Sequence, residues 1–369
     1  MKELALVFLR LGTTAFGGPA AHIAMMEDEF VRQRAWLTRE EFLDLVGAAG
    51  LIPGPSSTEV AIYVGHRRAG WRGLLVAGVC FILPAALLVT VIAWAYVRFG
   101  RLPAAAALLY GIKAVIIAII GQALLAFART AVKSTWLAAL GLGAAAAATM
   151  GYPPVLVLGV TGLVHAILRS GRLDAGMASV VGPLGLGASG VAATPVSLAK
   201  VLLLFLKFGA VVFGSGYVLL AFVRADLVER THWLTEPQLV DAVAVGQFTP
   251  GPVFTTATFI GYLVAGLPGA LVATAGIFLP SFVLVAISAP LIPRLRRSRV
   301  AGRFLDGVNV ASLALMAVVG AQLGKAAIID VPTAILALVS AAALFRRAVS
   351  STWLVLGGAA AGAIVQWLR

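Results

Sequence analysis

The stretch FLRLGTTAFGGP at residues 8–19 returns as FLKFGAVVFGSG at residues 205–216, and reading the two together decides the architecture. Working outward, Trp36-Leu37-Thr38 returns as Trp233-Leu234-Thr235, Asp44 as Asp241, and Pro53-Gly54-Pro55 as Pro250-Gly251-Pro252. After a one-residue deletion the match continues: Ala69-Gly70 falls on Ala265-Gly266, Leu83-Pro84 on Leu279-Pro280 and Gly111 on Gly307. The unit is far too long for a solenoid repeat. Two hydrophobic halves interrupted by Gly and Pro at corresponding positions instead predict a membrane carrier whose site lies between the repeats.

Composition agrees. Of 369 residues, 61% are hydrophobic and 12% charged, a balance that fits a bilayer as solvent. Apolar runs cover Leu74 to Val97, Ala104 to Phe127, Leu137 to Ile167, Leu267 to Ile292, Phe304 to Leu323, Val331 to Phe345 and Trp353 to Trp367, several reaching the roughly 20 residues that span a membrane. The start, Met1-Lys2-Glu3 followed by an apolar run with Arg10 and no small-residue cleavage site, predicts a retained N-terminus. The lone Cys80, inside an apolar run, excludes an intrachain disulfide or a thiolate metal site. The formal charge of +13 sits in short loops between apolar segments, which speaks for orientation in a bilayer and against nucleic acid as a partner.

Equivalent loops of the two halves carry opposite charge. Arg67, Arg68 and Arg72 have no charged counterpart between Tyr262 and Gly269. In the next loop the bias reverses, with Arg98 and Arg101 set against Arg294, Arg296, Arg297, Arg299 and Arg303. Because Lys and Arg mark cytoplasmic loops, the halves are expected to be inverted. The expected fold is therefore an all-α polytopic membrane protein with two inverted-topology repeats of about five transmembrane helices each and Gly/Pro-rich segments that are broken or re-entrant. Residues 1–175 form the first repeat, 176–198 a linker, and 199–369 the second repeat in the opposite orientation. Five crossings are reached if the opening segment Leu4 to Met26 is re-entrant. Counting the short helices around Tyr152-Pro153-Pro154 as one crossing gives the other parity, so the number of crossings stays open at ten or twelve.

The breaks carry the candidate chemistry. A helix over about Lys2 to Thr14 breaks at Phe16-Gly17-Gly18-Pro19, and a second, Phe42 to Leu51, breaks at Pro53-Gly54-Pro55 before restarting through Ser56. The second half offers Gly214-Ser215-Gly216 and Pro250-Gly251-Pro252. Hydrocarbon cannot satisfy the freed backbone groups, and at a helix N-terminus those groups favour an anion. The four ends are expected to converge near the midplane; the plainer alternative is that they only permit close packing. Arg10 and its equivalent Lys207 lie inside apolar segments, where a cation costs about 2.5–3.5 kcal/mol on insertion scales. Either a doubly charged anion offsets both, or both snorkel to the interface. Lys113, opposite Asn309, is a weaker candidate of the same kind. His22, without a counterpart, is either an anion donor or a packing residue. Glu59 either carries a coupling proton or caps the broken end. Glu27 and Glu29, with Asp28, Arg32 and Arg34, read as a solvated loop or a gate, and the pair Asp44 and Asp241 joins this coupling or gating set. No phosphate-binding loop and no clustered histidines occur, so no cofactor, metal or enzymatic chemistry is expected. Apolar Gly-rich faces leave room for a homodimer.

The residues Phe16-Gly17-Gly18-Pro19, Ala21-His22-Ile23, Met26, Trp36, Pro53-Gly54-Pro55, Gly65 and Leu83-Pro84 together resemble the chromate ion transporter family. Its second-half signature is matched by Phe213-Gly214-Ser215-Gly216-Tyr217, Trp233-Leu234-Thr235, Phe248-Thr249-Pro250-Gly251-Pro252 and Phe278-Leu279-Pro280-Ser281. The resemblance covers nearly the whole chain. It implies a long, two-repeat secondary transporter of the cell inner membrane that exports chromate and confers chromate resistance. Ser56-Ser57-Thr58-Glu59 and Ser215 depart from the family pattern. Sulfate and other tetrahedral oxyanions share the charge and shape of chromate, and a gated anion channel is the alternative mechanism.

Overall fold

A computed structural model describes residues 1–16, 18–100, 102–170, 196–213, 216–291, 299–347, 349 and 351–368. Among them there is no strand, and four helices are long and apolar enough to cross a membrane: Ser56–Phe99, Pro103–Ala131, Val253–Ser288 and Val300–Ala327.

Among the described residues each repeat supplies seven helices in the same order. The first has α1 (Lys2–Thr14), α2 (Gly18–Glu27, continuing as a π-helical turn Asp28–Gln33), α3 (Arg39–Ala49), α4 (Ser56–Phe99), α5 (Pro103–Ala131), α6 (Thr135–Thr149) and α7 (Pro154–Ser170). The second has α8 (Leu198–Val211), α9 (Leu219–Val223, continuing as a π-helical turn Arg224–Arg230), α10 (Glu236–Phe248), α11 (Thr256–Ser288), α12 (Arg299–Ala327), α13 (Val331–Arg347) and α14 (Ser351–Trp367). The start signals are duplicated too. Thr38 with Glu41 forms a capping box on α3, and Thr235 with Gln238 forms its counterpart on α10.

α4 and α11 each bend sharply. Ala69-Gly70 leaves the helix with Gly70 at φ 58°, and Ala265-Gly266 repeats the geometry with Gly266 at φ 62°, a region glycine enters without steric cost. The two arms fold back on one another closely enough that a Cβ on Gly65 or Gly73 would strike the opposite backbone, and Gly261 and Gly269 do the same in the second repeat. The segment 39–68 therefore enters and leaves at one face, with Arg67 paired to Glu41 at 3.0 Å and Arg68 lying 5.2 Å over the Trp36 ring. The opening segment behaves likewise, since Arg34, beyond α2, pairs with Glu3 at the start of α1. Each repeat thus begins with two re-entrant hairpins, α1–α2 and α3 with the first arm of α4, rather than the single one expected.

Contacts of the long arms establish the inversion. The second arm of α4 starts at this first face and reaches Tyr96, which meets Asp241 and Phe259 in the hairpins of the second repeat. The second arm of α11 runs the other way and places Ser288 against Tyr63 in the hairpins of the first, with Val285 in the same core. The repeats are therefore antiparallel across the bundle.

The last two helices of each half are exchanged. α6 and α7 pack on α12, and α13 and α14 pack on α5. Gly111 meets Gly358 and Gly362 with backbones in contact, and Gly307 meets Thr161 and Gly162 in the equivalent place.

Candidate functional site

The hairpin tips meet at the centre of the molecule. The Gly54 amide donates to the Val212 carbonyl at 2.8 Å, and the Gly251 amide donates to the Ala15 carbonyl at 2.8 Å. These two bonds are images of one another under the duplication. Gly54 at φ 136° and Gly251 at φ 86° adopt backbone conformations that a side chain would oppose. A Cβ on Gly54 would run into the Glu59 carboxylate and the Ser281 hydroxyl, and one on Gly251 into Ala85. The expected convergence of breaks is thus seen for Pro53-Gly54-Pro55 and Pro250-Gly251-Pro252 against the ends of α1 and α8. It comes with a correction: the Gly54 and Gly251 amides are engaged by carbonyls of the other repeat, so they are not free anion donors. Gly18 opens α2 at φ 78°, and Gly216 stands against Phe254. Gly17, Gly214 and Ser215 lie outside the described residues.

Around this crossing the two repeats differ. His22 on α2 is 1% exposed, with Nε2 3.0 Å from the Ala15 carbonyl and Nδ1 3.2 Å from the Ser57 hydroxyl. A carbonyl only accepts, so Nε2 carries the proton, and Ser57 donates to Nδ1 of the neutral ring. At the start of α4, the Thr58 and Glu59 amides bond to the Pro55 carbonyl, and the first-turn amides of Ser56 and Ser57 have no acceptor within the helix. Glu59 is fully buried; the Ser281 hydroxyl lies 3.5 Å from Oε1, and Oε2 has no hydrogen-bond partner. The equivalent place in the second repeat holds Thr255 and Thr256, whose hydroxyls bond back to Pro252 and Val253.

Arg10 and Lys207, the equivalent cations inside apolar segments, are each answered within their own repeat. Arg10 pairs with Glu29 of the π-helical turn, and Glu29, nearly buried, also takes Arg34 at 2.6 Å. Lys207 pairs at 2.6 Å with the equivalent carboxylate, Asp226, which also takes Arg230 at 3.2 Å. Glu29 is therefore no part of a solvated loop, because the helix continues through it and buries it. A dianion set between Arg10 and Lys207 would thus meet two cations that each already have a carboxylate partner. Glu27 pairs with Arg39 at 3.4 Å on the surface.

Asp44 and Asp241, equivalent in sequence, stand in different surroundings. Asp241 is 2% exposed and joins three helices: Lys113 of α5 lies 3.1 Å away and Tyr96 of α4 donates to it at 2.8 Å. Asp44 is exposed. The contrast extends to whole helices. α10 is buried from Leu239 to Gln247 and packs on α5, α12 and α14, whereas α3 exposes Leu43, Asp44 and Gly47 and packs on α2 and α4. Sequence reading picked out Lys113 and Asp241 separately; their pairing needed the packing of α5 on α10.

At the first face Trp36 stacks on Phe30 and is flanked by Arg34 at 5.5 Å and Arg68 at 5.2 Å. A cavity of about 210 Å³ opens between Trp36, Glu41, Arg67 and Arg68. The Thr38 amide first, and the Arg67 guanidinium with it, hold the Glu41 carboxyl below its ordinary range, so this surface keeps its charge pattern at neutral pH.

The family model described as chromate transporter matches residues 2–166 and again 199–363, one match per repeat. A chromate transport protein of Cupriavidus metallidurans is 38% identical over 98% of this chain and 92% of its own length. A probable chromate transport protein of Synechococcus elongatus is 33% identical over 92% and 88%, and a chromate transport protein of Pseudomonas aeruginosa is 32% identical over 88% and 82%. No solved structure matches. With a duplicated helical fold, re-entrant tips that cross at its centre and relatives matched along almost their full length, this chain belongs to the chromate transporter family, a family of transporters rather than of enzymes.

Proposed function

We propose that the protein exports chromate across the cell inner membrane by alternating access, holding the oxyanion where the hairpin tips cross. The observation that carries this reading is the unequal covering of α3 and α10. Two helices of equivalent sequence are uncovered at the first face and sealed at the second, which is what a two-repeat carrier caught open on one side requires. The positive-inside rule assigns the first face, with Arg67, Arg68 and Arg72, to the cytoplasm. Lys113, Asp241 and Tyr96 then form the closed outer gate, and transport alternates this closure with an equivalent one over α3.

Energetics favour export. Moving a dianion outward through an inside-negative potential of about 100 mV releases about 4.6 kcal/mol, roughly 2.3 for each charge. That sustains a gradient of over three orders of magnitude. The test is chromate flux in proteoliposomes with the potential set to either sign and sulfate as competitor. Saturable flux with counterflow that follows the potential is expected, whereas non-saturating flux without counterflow would establish a channel in its place.

A further inference from the structure

The start of α4 holds a group that alternating access alone does not use. Glu59 is fully buried beside the Pro53-Gly54-Pro55 tip, its Oε1 facing the Ser281 hydroxyl of α11 at 3.5 Å and its Oε2 without a hydrogen-bond partner. The neighbouring Thr58 hydroxyl is also fully buried and without a partner. The titratable groups that face this site are few. His22 of α2 is engaged with Ser57 and Ala15, and Tyr63, one turn further along α4, bonds to Ser288 of α11. Glu59 makes no ion pair among the described residues, and α11 offers it only hydroxyls. On the other elements packed against α4, Arg10 and Glu3 of α1 pair with Glu29 and Arg34, Glu27 of α2 with Arg39 of α3, Glu41 of α3 with Arg67, and Asp241 and Glu236 of α10 with Lys113 and Arg224.

A carboxylate buried against hydroxyls alone is expensive, and a proton on the orphaned oxygen removes both the charge and the missing hydrogen bond. The same helix N-terminus, whose Ser56 and Ser57 amides have no acceptor within the helix, is where an oxyanion is best accommodated. A negative Glu59 and a bound dianion would stand within one helical turn of each other on this end. Sodium is a poor occupant, since one carboxylate and one hydroxyl fall well short of the oxygen shell that a hard cation demands.

We propose that Glu59 is the coupling-proton site of the transporter, and that the oxyanion binds at the α4 N-terminus only while Glu59 carries a proton on Oε2. The proposal rests on the reading of the hairpin tips as the substrate seat. One proton is taken from water as an O–H bond forms on Oε2 and is returned to water when the anion leaves. The net charge moved with each chromate is then one instead of two, so the membrane potential contributes half of the export free energy that it gives an uncoupled dianion. The second repeat, with Thr255 and Thr256 at the equivalent place, has no such carrier, so a single proton accompanies each cycle.

The experiment compares the full-length wild type with Glu59→Gln, which keeps the shape and the neutral charge. Chromate binding and proton uptake are measured in weakly buffered detergent solution across pH, and charge per chromate in proteoliposomes. Because chromate itself titrates near neutral pH, the reading is the difference between the two proteins. Above the titration of Glu59, the wild type is expected to take up one more proton per anion, and its affinity to fall up to tenfold per pH unit more steeply than that of the variant. The variant is expected to move two charges per chromate. Equal pH slopes and equal proton uptake in the two proteins overturn the proposal. Ser56→Pro, which removes a first-turn amide at a position where proline is tolerated, and Thr58→Val separate the two ways it could fail. If they weaken binding while the slopes stay equal, the seat stands and the coupling falls; if neither moves binding, the seat reading falls with it. Should Glu59→Gln fail to assemble, Glu59→Ala, which equally carries no proton, replaces it, and a pH profile equal to that of the wild type there overturns the proposal equally.

Discussion

Arg10 shows how a residue placed by sequence can acquire a different meaning from its neighbours. Its position inside an apolar run made it a substrate candidate, yet Glu29, nearly buried on the adjoining π-helical turn, is its partner. Removing the cation leaves the buried Glu29 carboxylate with Arg34 alone and one oxygen unanswered, at a cost of about 1–3 kcal/mol. Arg10→Ala is therefore expected to lower the melting temperature, and Arg10→Ala with Glu29→Gln to recover much of it; thermal unfolding in detergent checks both. If flux returns together with stability, Arg10 serves the fold, and if only stability returns, it serves the anion. The glycines at the tips call for a separate prediction. Gly54→Ala must place a side chain at positive φ, at about 1–2 kcal/mol, and also into Glu59 and Ser281, so the yield of folded protein should fall sharply. These glycines could be read from sequence because duplication marks them twice. The Glu29 and Asp226 partnerships could not, since the turns that bury both residues carry the polar composition of a loop.

At the scale of elements, the sequence shows where the helices break but not which way they leave the break. Residues 39–68 have the length and hydropathy of a broken crossing; only the return of Arg67 to Glu41 and Arg68 to Trp36 reveals a hairpin. The unequal covering of α3 and α10 is only hinted at by sequence, since α3 is the more charged of the two, and the helices that seal α10 become known only from the packing. It can be tested with single cysteines at Gly47 and at its equivalent Ala244, in a chain whose Cys80 is replaced by Ser. A membrane-impermeant maleimide applied from the first face should label position 47 quickly and position 244 slowly from either side. Adding Asp241→Asn should raise labelling at 244 from the second face, because the closure held by Lys113 and Tyr96 is weakened. Equal labelling of 47 and 244 in the unmodified gate would contradict the state described.

For the whole molecule, inversion was legible from the reversal of charge between equivalent loops, and the antiparallel arms of α4 and α11 express it in contacts. The exchange of terminal helices was not legible, since α6 and α7 have the same length and apolarity whichever long helix they cover. That exchange bears on the order in which the chain is made. The ribosome completes α5 early, but the helices that clothe it, α13 and α14, emerge only after the whole of α12. Until then α5 must wait in the lipid with its Gly111 seam bare, and a chain stopped before Val331 never closes it. Such a truncation, although it keeps every residue of the hairpin tips, should be recognised by membrane quality control and degraded, with a steady-state level well below that of the full chain on immunoblots.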